Sequence, residues 1–373
     1  MASPDDPLVT SARIPLRDTL LDLFRTERQF LLFIGLAFIV VGAATPYPDV
    51  ARWVGFMLAA YSTIANDSIQ TLGTFIASNE HRPWWVLWIF IGGVFLATIA
   101  YGWAVADPPG DVSYGRLTSD AFNTMPTSFN FFQVAAPLFL IVLTRLRMPV
   151  STTFLILSCF ATEVKGISDV LMKSVAGYGV AFVLGAIVFA ATARLFVRFR
   201  DTKAHPMWVP AQWISTAVLW STWIMQDMAN LAVYLPRTLS FTQFLIFSAV
   251  IFLGTGFLLY LRGDKIQRVV TEKSSVVDIR AATLVDFVYA FILFGFVKIS
   301  TIPMSTTWVF IGLLAGRELA LILMRASGRP IREGARLVGR DLLFVTIGLI
   351  VSIGIAYLAN PVFHDMVLDA LGG

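Results

Sequence analysis

Two aspartates stand inside segments that otherwise read as membrane-spanning, and each has amide side chains close by in the chain. The two polar motifs are Asn66-Asp67 with Gln70, and Gln226-Asp227 with Asn230. A carboxylate in hydrocarbon is expensive and by default marks a functional pathway. In each motif the later amide follows the aspartate by three positions, which puts both on one helix face. Their oxygens suit a cation such as sodium, and their amide nitrogens can donate to an anion.

Asp67 has no basic residue near it in the chain, because no lysine or arginine lies between Arg52 and Arg82. An ionised carboxylate in a membrane needs a partner. We therefore expect a bound cation or a proton at Asp67 and Asp227, with sodium as the candidate metal ion. The alternative is an aspartate that is kept protonated and hydrogen-bonded between helices.

A second motif also occurs twice, as Pro149-Val-Ser-Thr-Thr153 and Pro303-Met-Ser-Thr-Thr307. Proline followed by hydroxyl residues is typical of the first turn of a helix. A helix start within the membrane offers free backbone N–H groups to an anion, and the hydroxyls add more donors. The predicted anion ligands are Ser151, Thr152, Thr153, Ser305, Thr306 and Thr307, with Asn66 and Gln226. The alternative is that the hydroxyls only hydrogen-bond to neighbouring helices.

The composition of the chain places these motifs in a membrane protein. Hydrophobic residues make up 57% of the chain and charged residues only 14%, whereas a soluble domain has about 25% charged residues. The sequence predicts an all-α polytopic membrane protein with about eleven spans and interrupted helices. The predicted spans are 30–46, 52–78, 84–104, 128–147, 149–173, 175–197, 207–235, 241–261, 281–299, 303–324 and 341–359.

The charges of the loops predict an orientation. Loops 194–203, 262–280 and 325–340 are basic and are expected in the cytoplasm, whereas loop 105–127 is acidic and is expected outside. This places the N-terminus in the cytoplasm and the C-terminus outside a cell (plasma or inner) membrane. It also gives the two copies of each motif opposite directions, which indicates the inverted repeats of a secondary transporter.

The same reasoning divides the chain into four regions. We expect a cytoplasmic segment with an amphipathic interfacial helix (1–29), a first transmembrane repeat (30–174), an inverted second repeat (175–324), and a basic cytoplasmic loop with a final span (325–373). Region 149–173 contains several charges, so a re-entrant half-helix is an alternative to one span there. Asp286 is either another cation ligand or an interhelical hydrogen-bonding group, and Lys298 either attracts anions or simply extends to the membrane surface.

Taken together, the motifs resemble those of the inorganic phosphate transporter (PiT) family. Each half of a family member carries a Gly-Ala-Asn-Asp-Val-Ala-Asn-type motif and a Pro-Val-Ser-Thr-Thr-His-type motif. The matching segments here are 64–70, 149–153, 225–230 and 303–307. The chain departs from the family pattern at Ile64, Met225 and Gln226, and has Phe154 and Trp308 where the family has histidine.

This resemblance implies cation-coupled uptake of an oxyanion by a two-fold pseudosymmetric bundle that forms a homodimer. Our functional hypothesis is sodium- or proton-coupled symport of inorganic phosphate, in which Asp67, Gln70, Asp227 and Asn230 bind the coupling cation. Sulfate or another small oxyanion is an alternative substrate, and a passive anion channel is an alternative of another class. No histidine or lysine is predicted in mid-membrane to activate a nucleophile, so we expect no enzyme activity. We also expect no cofactor other than the coupling ion, and no nucleic-acid partner.

Overall fold

The computed structural model describes residues 27–146, 148, 150–199, 202–261, 278–326 and 330–372, and the regular elements within these ranges are helices, with no strand among them. The predicted interfacial helix in 1–29 and most of loop 262–280 lie outside the described residues. In chain order, the described helices are α1 (Arg28–Ala44), α2 (Pro48–Thr63), α3 (Ile69–Ser78), α4 (Trp84–Val105), α5 (Phe131–Arg145), α6 (Thr152–Leu157), α7 (Val164–Phe199), α8 (Trp208–Asp227), α9 (Ala229–Ala232), α10 (Phe241–Tyr260), α11 (Ile279–Ile299), α12 (Thr306–Leu323), α13 (Ile331–Ala359) and α14 (Pro361–Gly372).

The helices are those of a membrane protein. Six of them, in the described part of the chain, are long and apolar enough to cross a membrane: α4, the stretch Val164–Leu195 of α7, α10, α11, α12 and the stretch Val338–Ala359 of α13. Two shorter apolar helices, α1 and α5, accompany them. The count of eleven spans stays a prediction.

The two predicted spans 149–173 and 175–197 are wrong in outline. Helix α6 ends after 6 residues, and a non-helical stretch leads to α7, which continues for 36 residues without a break at residue 174. At 1.5 Å per residue α7 is about 54 Å long, well beyond the ~30 Å of hydrocarbon in a bilayer. Its charged first turns can therefore lie beyond the hydrocarbon, which the division into spans of 25 and 23 residues did not allow for.

Both polar motifs lie where a helix is interrupted. A π-helical turn, Ile64–Ser68, separates α2 from α3 and contains Asn66 and Asp67. Helix α8 ends at Asp227, and the single residue Met228 separates it from α9. A π-turn inside a helix is rare and is frequently found at functional sites.

Close helix packing holds the second Ser-Thr-Thr segment in place. Helix α12 packs along α7 more extensively than any other described pair of helices. At Gly312 a Cβ atom would lie 2.5 Å from the carbonyl oxygen of Tyr178, and at Gly316 it would lie 2.0 Å from that of Phe182. Small residues four apart let the backbones of membrane helices approach closely. This close contact fixes the position of α12, and therefore of Ser305 at its start.

Candidate functional site

Asp67 is buried and has neutral hydrogen-bond donors around it. Asn66 Nδ2 donates to Asp67 Oδ1 at 2.6 Å, and the Thr307 hydroxyl oxygen lies 3.3 Å from the same carboxyl oxygen. The Thr152 hydroxyl lies beside the carboxyl group, although it makes no well-formed hydrogen bond. Asp67 therefore contacts both Ser-Thr-Thr segments.

Asp227 is also buried, and its surroundings match those of Asp67. Thr153 Oγ1 lies 3.4 Å from Asp227 Oδ1, and Asn230 Nδ2 donates to the same oxygen at 2.9 Å. Asn230 Nδ2 also lies 3.1 Å from Thr153 Oγ1. The Thr306 hydroxyl lies beside the Asp227 carboxyl group, and the two aspartates are close enough to interact electrostatically. Each aspartate thus lies next to the last threonine of the Ser-Thr-Thr segment in the other half of the chain.

The prediction that each Ser-Thr-Thr segment opens a helix is confirmed. Ser151 is the N-cap of α6 with φ −74° and ψ 104°, and Ser305 is the N-cap of α12 with φ −72° and ψ 105°. Ser151 Oγ accepts a hydrogen bond from the Phe154 amide at 3.0 Å, and Ser305 Oγ accepts one from the Trp308 amide at 3.2 Å. The serine oxygens satisfy helix N–H groups, which leaves the threonine hydroxyls to face the aspartates.

Several polar atoms in this cluster are buried and have no hydrogen-bond partner among the described residues. These atoms are Asp67 Oδ2, Asp227 Oδ2, Asn230 Oδ1, Thr152 Oγ1, and both Oε1 and Nε2 of Gln226. A buried polar group that makes no hydrogen bond costs about 1–3 kcal/mol. So many unpartnered donors and acceptors in one place are expected where a polar ligand binds.

The structure brings the residues of all four motifs together. Asn66, Asp67, Gln226, Asp227, Asn230 and the two Ser-Thr-Thr segments are buried side by side or in direct contact. Pro149 and the side chain of Gln70 lie outside the described residues.

Arg116 is a residue of this region that sequence reasoning used only for topology. It lies between α4 and α5, is 1% exposed, and its Nε donates to the Met225 carbonyl oxygen at 3.3 Å. Nη2 donates to Val297 O at 3.3 Å, and Nη1 donates to Ser300 O. Burial lowers the pKa of Arg116 to about 10, and the charge of Asp227 opposes this shift. Arg116 therefore stays charged at neutral pH; its signal in the sequence is that it is the only basic residue of an acidic loop.

Lys173 on α7 accompanies Arg116. Its Nζ donates to the carbonyl oxygens of Ser300, at 3.2 Å, and of Ile302. Both basic side chains thus bind backbone carbonyl groups at the end of α11 and just before Ser305. Basic groups at this place complement the free carbonyl groups of a helix C-terminus.

The structure also shows the surroundings of Asp286 and Lys298, for each of which the sequence left two alternative roles. Asp286 is buried and accepts hydrogen bonds from Thr74 Oγ1 and Thr216 Oγ1, each at 2.6 Å, so it joins α3, α8 and α11. This supports the interhelical alternative over a further cation ligand. Lys298 is exposed, with Nζ 5.3 Å from the centre of the Phe294 ring.

One comparison with solved structures gives a match over most of the chain. A structure described as "The sodium-dependent phosphate transporter" aligns with a TM-score of 0.54, covering 86% of this chain and 99% of that chain at 15% sequence identity. The two proteins share a fold. No protein-family model and no curated protein matches the sequence.

Proposed function

We propose that this protein is a secondary active transporter that moves inorganic phosphate across a cell membrane in symport with sodium or protons. One observation carries the proposal: Asp67 and Asp227 meet the threonines of both Ser-Thr-Thr segments in a buried cluster that retains unpartnered polar atoms. A cluster of this kind holds donors for an anion and acceptors for a cation at one site. The fold of the structural neighbour adds support.

The anion would bind to the donors of the cluster. They are the hydroxyl groups of residues 151–153 and 305–307 and the amide nitrogen of Gln226, which has no hydrogen-bond partner within the described ranges. The N-terminus of α12 adds backbone dipoles. Helix α6 has only 6 residues, so in the first half the hydroxyls rather than the helix dipole would contribute most.

The coupling cation would bind to the acceptors of the cluster. Four buried oxygens of the cluster have no hydrogen-bond donor in the described part of the chain: Asp67 Oδ2, Asp227 Oδ2, Asn230 Oδ1 and Gln226 Oε1. Carboxylate and amide oxygens are hard ligands that suit sodium, and a carboxylate can alternatively take up a proton. A bound cation would lower the cost of placing phosphate next to two aspartates, which is a physical basis for coupling.

The crossed contacts between the two halves support inverted repeats. Asp67 meets Thr307, Asp227 meets Thr153, and the two serine caps have nearly the same backbone angles. We propose the four regions 1–29, 30–174, 175–324 and 325–373, with a cytoplasmic N-terminus, an outer C-terminus and a homodimeric assembly. Transport would follow from alternating exposure of the shared site between the two repeats.

The proposal is tested by uptake of labelled phosphate into proteoliposomes under an imposed sodium gradient, repeated with a proton gradient and with unlabelled sulfate as competitor. We expect gradient-driven accumulation that sulfate does not suppress. Phosphate flux that ignores both gradients would instead indicate a passive channel, and suppression by sulfate would identify another oxyanion as substrate.

Two aspartate-to-asparagine variants test whether this uptake depends on the buried cluster. Asp67→Asn is expected to abolish cation-dependent uptake while the protein still folds. The matched control is Asp120→Asn, because Asp120 is an exposed aspartate outside the cluster. Uptake by Asp67→Asn at the wild-type rate would overturn the assignment of the site.

A further inference from the structure

The N-terminal part of α13 carries exposed arginines on the side of the helix that faces lipid. Arg332, Arg336 and Arg340 are exposed, and their spacing of four residues puts them on one helix face. The same face continues with Leu343, which is 57% exposed, and Ile350, which is 63% exposed. Exposed aliphatic side chains mark the side of a membrane helix that contacts the equally apolar lipid tails. The three arginines therefore lie on the lipid side of α13.

Helix α7 repeats this pattern at its C-terminal end. Val183 is 53% exposed and Ile187 is 59% exposed, and Arg194 and Arg198 are exposed farther along the helix. Steps of four or seven residues stay on one helix face, so these four side chains share one side of α7. The two arginines thus also continue a face that contacts lipid.

The arginines of the two helices lie at the same end of the molecule. Ala193 on α7 packs in one cluster with Leu321 and Ala326, at the end of α12. Gly334 on α13 packs at the same place, because a Cβ atom there would lie 2.0 Å from Ile322 Cδ1. The end of α7 and the start of α13 therefore both pack against the end of α12.

These arginines also lie at the depth of lipid headgroups. Arg340 is the third residue of the apolar stretch Val338–Ala359, and Arg194 is the last but one of the stretch Val164–Leu195. From Arg332 to Arg340, α13 rises about 12 Å at 1.5 Å per residue. The headgroup layer is about 5–8 Å thick on each side of a bilayer, so the arginines of α13 extend through all of it.

The five arginine side chains form no ion pair or hydrogen bond with another described residue. No lysine stands among the arginines between Arg325 and Arg340. Lysine and arginine serve the orientation of a membrane protein alike, whereas only a guanidinium group binds phosphate through two parallel hydrogen bonds. The pattern therefore favours a phosphate partner over a role in orientation alone.

We propose that the arginine faces of α7 and α13 bind anionic phospholipids through their phosphate groups. A lipid such as phosphatidylglycerol keeps the negative charge of its phosphate, whereas the choline group of phosphatidylcholine cancels it. A second copy of the chain fits this surface poorly, because a two-fold axis through it would bring arginines against arginines. The inference concerns the lipids that surround the protein and does not depend on what the protein transports.

Native mass spectrometry of the full chain, purified in detergent and mixed with phosphatidylglycerol or phosphatidylcholine, measures which lipid stays bound. We expect the wild type to retain phosphatidylglycerol preferentially, and Arg336→Gln/Arg340→Gln to weaken this binding by ~10-fold or more. The matched control is Lys165→Gln/Lys298→Gln, which removes two exposed positive charges at the opposite end of the molecule. The control should stay within about 2-fold of the wild type, because the attraction falls off within a Debye length.

A further variant separates the charge of the arginines from their hydrogen-bond geometry. Arg336→Lys/Arg340→Lys keeps both charges and loses the paired contacts of the guanidinium groups, so it should bind phosphatidylglycerol ~3-fold more weakly than the wild type. If the glutamine variant fails to fold, this lysine variant decides. Binding equal to that of the wild type would then reduce the arginines to a general positive charge and overturn the proposal.

Equal retention of the two lipids by the wild type would overturn the proposal, and so would equal losses in the glutamine variant and its control. Inorganic phosphate is added to the lipid-free protein in a separate arm. A rise in Tm that is lost only in Arg336→Gln/Arg340→Gln would mean that the arginines bind free phosphate instead of lipid. A wild-type dimer that becomes a monomer in the glutamine variant, with lipid binding unchanged, would identify a second copy of the chain as the occupant.

Discussion

The two Ser-Thr-Thr segments begin alike and continue differently. Ser151 and Ser305 cap their helices with the same geometry, yet α6 has 6 residues and α12 has 18. The cap is a local interaction between a serine side chain and the amide three residues later. Helix length, in contrast, is decided by what packs around the residues that follow.

In the first half, polar side chains replace the missing helical hydrogen bonds. Asn360 Nδ2 donates to the carbonyl oxygens of Ser158, at 2.7 Å, and Ala161, at 2.8 Å. Gln133 Nε2 donates to the Cys159 carbonyl oxygen at 3.0 Å. Backbone without helical hydrogen bonds is tolerated at membrane depth only where protein or water satisfies it. Asn360 and Gln133 therefore permit α6 to end early, whereas glycine packing against α7 keeps α12 straight.

The largest expected effect is in the second half, at the contact of α12 with α7. Leucine at position 316 would force a Cβ to within 2.0 Å of the Phe182 carbonyl oxygen, and backbone cannot move aside as a side chain can. We expect Gly316→Leu to cost about 3 kcal/mol or more and to sharply lower the yield of folded protein, measured by size-exclusion chromatography of detergent extracts. Gly179→Leu on α7 is the control, because a Cβ there has no atom within 4 Å; equal losses in both variants would refute the packing argument.

The counterpart in the first half is Asn360. Asn360→Leu would leave the carbonyl groups of Ser158 and Ala161 without donors, at an expected cost of about 2–4 kcal/mol since each unpartnered group costs about 1–3 kcal/mol. The measurement is the thermal unfolding temperature in detergent. The exposed residue Asn123 offers a control with the same substitution. An unchanged Tm in Asn360→Leu would mean that the α6 break does not depend on this side chain.

A smaller difference is expected between the two threonines that meet the aspartates. Among the described residues, the Thr307 hydroxyl hydrogen-bonds to the Asp67 carboxyl group alone, whereas Thr153 Oγ1 is close to Asp227, Asn230 and the Met304 carbonyl oxygen. We expect Thr153→Val to lower the initial rate of phosphate uptake by ~10-fold and Thr307→Val by ~3-fold, because more hydrogen bonds are lost in the first. The exposed residue Thr124 serves as control. Equal rates for the two variants would show that the halves are energetically symmetric.

The smallest effect concerns the helices that precede the two segments. Asn130 caps α5 and Asp278 caps α11, where its carboxylate accepts from the Arg280 amide at 2.8 Å. Hydrogen bonds from Arg280 lower the pKa of Asp278 below its usual value of 3.8. A carboxyl whose pKa is lowered by folding stabilises the protein above its unfolded pKa, and this contribution is lost as the pH falls through the folded pKa.

Asp278→Asn should therefore lower Tm slightly at pH 7, and the difference from wild type should shrink as the pH falls below about 3.8 and through the lower pKa of the folded state. The Asn130 side chain that caps α5 does not titrate. Any change in Tm caused by Asn130→Ser should therefore be the same at pH 7 as below pH 3.8. A difference between wild type and Asp278→Asn that grows on acidification would contradict the assigned direction.

Several features followed from the sequence because their causes are local. Low charge and long apolar runs indicated a membrane protein, and the order proline, serine, threonine, threonine predicted the two helix starts. The amides and aspartates could be selected because a polar residue in an apolar segment needs a reason.

Other features depended on residues far apart in the chain, and only the tertiary structure decided them. The pairing of Asp67 with Thr307, the burial of Arg116 near Asp227, the partners of Asp286 and the early end of α6 all join separate helices. A side chain's neighbours along the chain fix whether it can cap a helix. Its neighbours in space fix whether a carboxylate lies in a polar cluster, as Asp67 does, or hydrogen-bonds neighbouring helices to one another, as Asp286 does.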